Sequence, residues 1–138
     1  MDSDQTSGRA RPTRILVVED ERYVARFLVY VLKEKGYEVQ TAYDGAEALD
    51  AAAVFRPDAV LLDLVLPKIS GREVLGRLRS DPKFAGLKIL LLTGYPMTGN
   101  DFDAPPGMGA DACCLKPIGP SALIGLLKQY GLPSRISV

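Results

Sequence analysis

Two hydrophobic periodicities alternate along this chain of 138 residues. Five short runs are rich in branched apolar residues, and each predicts a β-strand. They are RILVV (14–18), YEVQTA (37–42), DAVLLDL (58–64), KILLLT (88–93) and DACCL (111–115). After the first, second, third and fifth runs, apolar side chains recur three and four residues apart, which is the spacing of one helix face. The chain is therefore predicted to alternate strands and helices.

The alternation indicates an α/β fold built on one parallel sheet. Strands that are apolar at nearly every position, as in the third and fourth runs, are typical of a sheet covered by helices on both faces. Five such strands predict a doubly wound sheet of the flavodoxin-like kind, with the strand order 2-1-3-4-5. In that order the topology switches between strands one and three, and ligands bind there, beyond the carboxyl ends of the strands.

The segment 94–111 interrupts the alternation where the fourth helix is due. It contains three prolines and four glycines, and each proline in a helix interior costs about 3 kcal/mol. The fourth helix, between strands four and five, is therefore expected to be short or disordered.

Composition limits the domain organisation and the setting. Residues 14–131 form one predicted domain, between a flexible N-terminal tail (1–13) and a C-terminal tail (132–138). The 17 basic and 17 acidic residues cancel, so net charge gives no reason for binding nucleic acid or a membrane. The polar first residues lack the apolar segment of a secretory signal, which favours the cytoplasm. The adjacent Cys113 and Cys114 are interpreted as small buried residues in a reducing compartment.

Polar side chains lie at the carboxyl ends of four strands. Glu19 and Asp20 follow the first strand and Asp63 ends the third. Thr93 ends the fourth strand and Lys116 follows the fifth. Because the carboxyl ends of parallel strands share one rim, these side chains are expected to converge. Three carboxylates at one point repel one another unless a cation compensates them.

A hard divalent cation is compatible with this set of residues. Mg²⁺, or the similar Mn²⁺, prefers carboxylate and carbonyl oxygens together with retained waters. Asp20 and Asp63 would bind it directly, Glu19 through a water molecule, and Val65 through its backbone carbonyl. Lys116 would balance the remaining charge. Asp20 is also expected to cap the first helix.

The same residues are suited to phosphoryl transfer. A carboxylate oxygen of Asp63 can attack phosphorus and form an acyl phosphate. The cation and Lys116 would neutralise the charge on the phosphoryl oxygens in the transition state, and the hydroxyl of Thr93 could donate to one of them.

Four motifs in this order resemble a known family. ILVVEDE, VLLDLVLPKISG, LLLTG and CLKPI are similar to the receiver domain of bacterial two-component response regulators, over about residues 14–130. The resemblance implies a phosphodonor that is a sensor histidine kinase or a histidine phosphotransfer protein, and a downstream protein target. It implies no direct contact with nucleic acid or membrane. It also implies that the chain is not an enzyme beyond its own self-phosphorylation and self-dephosphorylation.

The resemblance assigns roles to the residues at the strand ends. It implies that Asp63 is the phosphoacceptor and that Glu19 and Asp20 are the acidic pair that holds the metal. It implies that Thr93 and Lys116 contact the phosphoryl group. In the family the peptide bond after this lysine is usually cis, and we expect the same at Lys116-Pro117.

One departure from the family concerns the switch. Receivers usually carry a tyrosine or phenylalanine three residues before the lysine that corresponds to Lys116, and here that position is Cys113. A thiol cannot signal by burial as an aromatic ring does. We therefore consider Cys113 and Tyr95, two residues after Thr93, as the candidates for switch residues.

Two alternatives stay open from the sequence, and a third is disfavoured by one residue. The chain could be a receiver-like adaptor that binds partners without phosphorylation, or a receiver that is part of a larger hybrid kinase. A haloacid-dehalogenase-type phosphatase also uses an aspartate nucleophile. That class needs a second acid two residues after the nucleophile, and Val65 occupies that position.

Overall fold

The computed structural model describes residues 11–94 and 109–134 of the chain. Within these residues it contains five strands, four α-helices and one short 3-10 helix, Pro82–Phe84. The strands are β1 (Arg14–Val18), β2 (Glu38–Ala42), β3 (Ala59–Asp63), β4 (Lys88–Thr93) and β5 (Ala112–Leu115). The helices are α1 (Arg22–Glu34), α2 (Gly45–Phe55), α3 (Gly71–Ser80) and α4 (Pro120–Gln129). The predicted alternation is confirmed.

The strands form a single parallel sheet in the order β2-β1-β3-β4-β5. This confirms the doubly wound, flavodoxin-like fold and its switch between β1 and β3. Every residue of β3 is buried, and so is every residue of β4 after its first. Parallel strands covered on both faces have this burial, which explains their unbroken apolar sequence.

Two hydrophobic cores lie on opposite faces of the sheet. Successive residues of a strand point to opposite faces, so Leu61 joins one core and Leu62 joins the other. The first core contains apolar residues of α1 and α4, and the second contains apolar residues of α2 and α3. The helical apolar spacing read from the sequence therefore corresponds to real buried faces.

Helix termini follow ordinary capping chemistry. Asp44 and Ser70 accept hydrogen bonds from the backbone N–H groups of Glu47 and Glu73, and so cap α2 and α3. Gly36 follows α1 with a φ of 87°, a left-handed conformation that glycine adopts without strain. These caps fix where the helices begin and end, and so where the strand ends emerge.

The residues next to both predicted tails pack on the domain. Arg11 forms an ion pair of 2.9 Å with Asp58, and Thr13 is fully buried. The hydroxyl of Thr13 donates to the carbonyl of Pro133, and Leu132 is 4% exposed. Hydrogen bonds and apolar contacts therefore continue for a few residues past the periodic segments, and the boundaries at 13 and 132 stay predictions.

The prediction of a short or disordered fourth helix falls on 94–111, and 95–108 lie outside the described residues. The described chain resumes at residue 109, and Asp111 directly precedes β5. The carboxylate of Asp111 accepts hydrogen bonds from the guanidinium of Arg79 at 2.6 Å and from the backbone N–H of Ile89 at 2.8 Å. In the ranges 11–94 and 109–134, no helix has the length and apolar character to cross a bilayer.

Tyr37 links the end of α1 to the C-terminal segment and makes stability sensitive to high pH. Its hydroxyl donates to the carbonyl of Leu132 at 2.6 Å, and its side chain is 4% exposed. Burial raises the pKa of Tyr37 to about 12, from 10.0. Between pH 10 and 12 the unfolded chain loses this proton while the folded chain keeps it, so stability falls as pH rises.

We expect the folded protein to lose about 2 kcal/mol across this window through Tyr37. Urea unfolding at pH 9, 10 and 11.5 measures the loss. A Tyr37→Phe variant should be less stable at pH 9, because the hydrogen bond is gone, and should decline less steeply at higher pH. Parallel declines of the two proteins would contradict the assignment.

Candidate functional site

The predicted polar residues converge beyond the carboxyl ends of β1, β3 and β5. The ammonium of Lys116 lies 2.6 Å from Oε1 of Glu19 and 3.1 Å from Oδ2 of Asp63. The side chains of Glu19 and Asp63 are 2% and 8% exposed, and that of Lys116 is 17% exposed. One ammonium therefore bridges two buried carboxylates, each separated from it by more than fifty residues of sequence.

Backbone groups hold the ends of the strands around Asp63. The second carboxylate oxygen of Asp63, Oδ1, accepts from the N–H of Val65 at 3.0 Å. Leu92 pairs with Asp63 in the sheet, which places Thr93 one residue beyond this level, with 1% of its surface exposed. The N–H of Lys116 donates to the carbonyl of Thr93 at 2.6 Å. Parallel pairing thus brings the hydroxyl-bearing and ammonium-bearing residues to the same rim.

Three carboxylates of this rim form a group that could hold a metal ion. One oxygen each of Glu19, Asp20 and Asp63 lies within 4.8 Å of the others, and Asp20 is exposed. Oxygens on opposite sides of an octahedral Mg²⁺ lie about 4.2 Å apart, given metal–oxygen distances near 2.1 Å. Small side-chain movements would therefore bring these oxygens into coordination. The all-oxygen donor set matches a hard cation such as Mg²⁺ or Mn²⁺.

Electrostatics at the site favour a bound cation. Burial raises the pKa of Glu19 above its ordinary value, and the nearby charge of Asp63 adds to the increase, while Lys116 opposes it. Burial alone would lower the pKa of Lys116, but its hydrogen bonds to Glu19 and Asp63 outweigh burial and raise that pKa. Lys116 is therefore charged at neutral pH. A second cation would further reduce the repulsion between the negative charges of the carboxylates.

The loop from β3 to α3 approaches the site because two glycines allow it. A Cβ on Gly71 would lie 2.3 Å from the carbonyl oxygen of Asp63 and 2.6 Å from the Cα of Leu64. A Cβ on Gly45, at the start of α2, would lie 2.0 Å from the carbonyl oxygen of Ile69. The N–H of Gly71 donates to the carbonyl of Leu64 at 3.0 Å. The glycine that follows the VLLDLVLPKIS run is thus required by backbone contact with the aspartate.

A Gly71→Ala substitution should therefore disturb both stability and the site. The added methyl group overlaps backbone atoms that cannot rotate away, so we expect the free energy of unfolding to fall by about 1–3 kcal/mol. Gly76→Ala is the matched control, because a Cβ at Gly76, in the same helix, meets nothing within 4 Å. That control should raise stability by up to about 1 kcal/mol. Thermal unfolding measures both, and equal effects would refute the close-contact argument.

The structure corrects two expectations about side chains. Asp20 was expected to cap α1, but Glu21 occupies the N-cap position and no side chain makes a cap hydrogen bond. Cys113 was expected to be buried, but it is exposed, and Cys114 is partly buried. β5 pairs with β4 alone among the described strands, so its outward positions are not covered as those of the central strands are.

The remaining predicted residues have mixed outcomes. The peptide bond Lys116-Pro117 is cis, as expected. Val65 contributes its N–H to Asp63, and its side chain is 56% exposed beside the site; its carbonyl as a metal ligand stays a prediction. Tyr95 lies outside the described residues.

Sequence reasoning missed one contact that shapes the site. Lys68, in the loop after Asp63, has a φ of 67° and pairs with Asp44 at 3.3 Å. That ion pair, together with the bond from the N–H of Gly45 to the carbonyl of Pro67 at 3.3 Å, ties the loop to the start of α2. The Asp44 helix-cap signal was visible in the sequence, but nothing in the local pattern of KISG indicated its partner.

Comparison with known proteins identifies the class to which this sheet and site belong. The chain matches the family described as the response regulator receiver domain over residues 15–128. It belongs to the response regulator receiver domain family.

Particular relatives support the same assignment. The chain is 32% identical over 119 residues to the polar-differentiation response regulator DivK of Brucella anthropi, covering 86% of this chain and 96% of that one. It is 41% identical over 126 residues to the alkaline phosphatase synthesis transcriptional regulatory protein PhoP of Bacillus subtilis, covering 90% of this chain but 50% of PhoP. The solved chemotaxis protein CheY4 of Vibrio cholerae is 28% identical, with a TM-score of 0.80 over 86% of this chain and 98% of that one.

Proposed function

We propose that this chain is a phosphorylation-controlled signalling module in which Asp63 accepts a phosphoryl group from a histidine of a partner protein. The observation that carries the proposal is the bridge of Lys116 between Glu19 and Asp63, at 2.6 and 3.1 Å, beside the acidic group. A structural ion pair needs one carboxylate. Here one ammonium bridges two carboxylates and the carboxylate of Asp20 lies close to both, an arrangement that an incoming phosphoryl group and a divalent cation would complete.

The transfer step uses these groups in defined roles. An oxygen of Asp63 forms a bond to phosphorus as the bond from phosphorus to the donor's imidazole nitrogen breaks, and the electron pair of that bond leaves with the nitrogen. Lys116 would offset charge on the phosphoryl oxygens, and the hydroxyl of Thr93 would donate to one of them. Water attacking the same phosphorus later returns the carboxylate and releases phosphate.

The metal in this proposal is Mg²⁺ or Mn²⁺, held by Asp20 and Asp63 with Glu19. When bound, it would supply positive charge to the transferring phosphoryl group. Beyond this self-phosphorylation and self-dephosphorylation we propose no enzymatic activity. The expected cytoplasmic setting stays a prediction. DivK, which this chain covers over almost its whole length, is named a response regulator, and a downstream protein target is proposed here by analogy.

One surface beside the site is suited to the partner that donates the phosphoryl group. Tyr23 and Phe27, on α1, are 86% and 45% exposed. They border a cavity of about 450 Å³ whose other walls include Lys116 and Ile118. Exposed aromatic side chains in one place are typical of protein–protein interfaces. A partner that docks there would lie next to Lys116, whose ammonium is 3.1 Å from Asp63.

We therefore expect Tyr23→Ala and Phe27→Ala to separate two kinds of phosphodonor. Transfer from a phosphorylated histidine kinase or phosphotransfer protein should slow by about tenfold or more, because interface aromatics contribute a large share of binding energy. Phosphorylation by acetyl phosphate, which needs no docking surface, should be unchanged. Val54→Ala is the control, since Val54 is 84% exposed on α2, and it should slow neither reaction. Equal slowing with both donors would locate the defect in the chemistry instead.

The alternative of an adaptor that acts without phosphorylation is tested by beryllofluoride, which mimics an aspartate-bound phosphoryl group. In the presence of Mg²⁺, the phosphoacceptor reading predicts saturable binding, with NMR shifts at Thr93 and Lys116. An Asp63→Ala variant should show none. An intact protein that fails to bind beryllofluoride with Mg²⁺ would favour the adaptor.

A further inference from the structure

A second polar cavity lies at the opposite end of the sheet from Asp63. It has a volume of about 370 Å³ and is formed where the amino ends of β3 and β4 meet the ends of α2 and α4. Its described lining contains four basic residues and one acidic residue: Arg11, Arg56, Lys83, Lys88 and Asp58. In a chain whose total charge is zero, three excess positive charges around one cavity are a pronounced local concentration.

The acidic residue of this cavity is already engaged. Both carboxylate oxygens of Asp58 accept from the guanidinium of Arg11, at 2.9 and 3.2 Å, and one of them also accepts from the N–H of Arg14 at 2.8 Å. Arg11 and Asp58 therefore neutralise each other. The remaining cations are Arg56, Lys83 and Lys88, and among the residues described only Asp81 comes within ion-pair distance of one of them, at 4.0 Å from Lys83.

Arg56 occupies its position at a conformational cost. It ends α2 with a φ of 54°, in the left-handed region where glycine or asparagine usually ends a helix. A strained residue that keeps a long cationic side chain at the rim of a cavity is a reason to ask what the side chain binds. The cavity also has aromatic walls, since Phe84 and Tyr130 line it.

We infer that this basal cavity, lined by Arg56, Lys83, Lys88, Phe84 and Tyr130, binds a small phosphate-bearing ligand with two or more negative charges. Guanidinium and ammonium groups are the donors that phosphate oxygens prefer. The cavity volume accommodates a pyrophosphate group, and the aromatic walls can contact a base attached to it. A bound ligand would contact the ends of both α2 and α4, far from Asp63. The inference needs neither Asp63 nor a divalent cation, so its failure would leave the phosphoacceptor proposal unaffected.

The test is calorimetric titration in a chelator, first with inorganic pyrophosphate and then with ADP and adenosine. Pyrophosphate is expected to bind, and Arg56→Gly and Lys88→Gln should each weaken it about tenfold. Arg56→Gly relieves the strain at φ 54°, so this variant should remain folded even if Lys88→Gln does not. Lys33→Gln removes the same charge from the exposed face of α1 and should leave the affinity unchanged.

The comparison of ligands identifies the source of the phosphate. Tighter binding of ADP than pyrophosphate would assign a nucleotide, and equal binding would assign phosphate alone. Backbone NMR shifts at Gly86 and Gly131, which line the cavity, should accompany either result. No pyrophosphate binding at millimolar concentration, adenosine binding as tight as ADP, or equal weakening by Lys33→Gln would overturn the inference.

Discussion

Asp63→Asn is expected to abolish phosphorylation of this chain by acetyl phosphate. Asparagine has nearly the shape of aspartate, but its amide lacks the anionic oxygen that must attack phosphorus. After incubation with acetyl phosphate and Mg²⁺, intact-mass spectrometry should show one added phosphoryl group on the unmodified protein and none on the variant. The label should be lost under alkaline conditions, as expected of an acyl phosphate, and should not form when a chelator removes the metal.

Asp50→Asn is the matched control for this experiment. Asp50 is an exposed aspartate on α2, away from the strand ends, and its variant should be phosphorylated at the normal rate. Undiminished labelling of Asp63→Asn would place the phosphoacceptor elsewhere and would remove the basis of the proposed function. The variant should also be folded, because an amide at this position can still interact with the N–H of Val65 and carries no charge to compensate.

The sheet could be predicted from the sequence because strands buried on both faces have nearly continuous apolar sequences. β3 is apolar up to Asp63 and β4 is apolar between Lys88 and Thr93. The helices between strands carry apolar residues at helical spacing, so each element could be recognised from its own sequence. The topological rule for parallel strands then places Asp63 and Lys116 on one rim without any knowledge of distances. Charge repulsion among the acidic residues supplied the reason for a cation.

What could not be predicted depends on contacts between segments distant in sequence. The ion pair of Lys68 with Asp44 requires the relative position of a loop and a helix, which no local pattern encodes. The exposure of Cys113 depends on what lies beside β5, and its apolar neighbours suggested burial instead. Arg56 and Lys88 come to one basal cavity only because the amino ends of β3 and β4 meet two helix ends there.

Replacement of Lys116 by methionine should expose the electrostatic cost of the acidic group. The side chains of Glu19 and Asp63 would then lie buried without their shared ammonium. Removing one partner of a buried charge pair is strongly destabilising. We expect a loss of about 2–3 kcal/mol in the free energy of unfolding without divalent cations, limited because Glu19 can take up a proton. Phosphorylation by acetyl phosphate should slow on the order of 100-fold, as when one donor to a developing charge is removed.

Two further measurements separate this electrostatic reason from simple loss of packing. Mg²⁺ should raise the free energy of unfolding more in Lys116→Met than in the unmodified protein. The reason is that it neutralises carboxylates that are no longer paired with the lysine. Adding Glu19→Gln to Lys116→Met should restore part of the lost stability, since Asp63 is then the only buried carboxylate of the acidic group. Lys33→Met, at an exposed position of α1, should change neither quantity. If neither Mg²⁺ nor Glu19→Gln changed the stability loss of Lys116→Met, that loss would come from packing. The electrostatic argument for a cation at the acidic group would then be wrong.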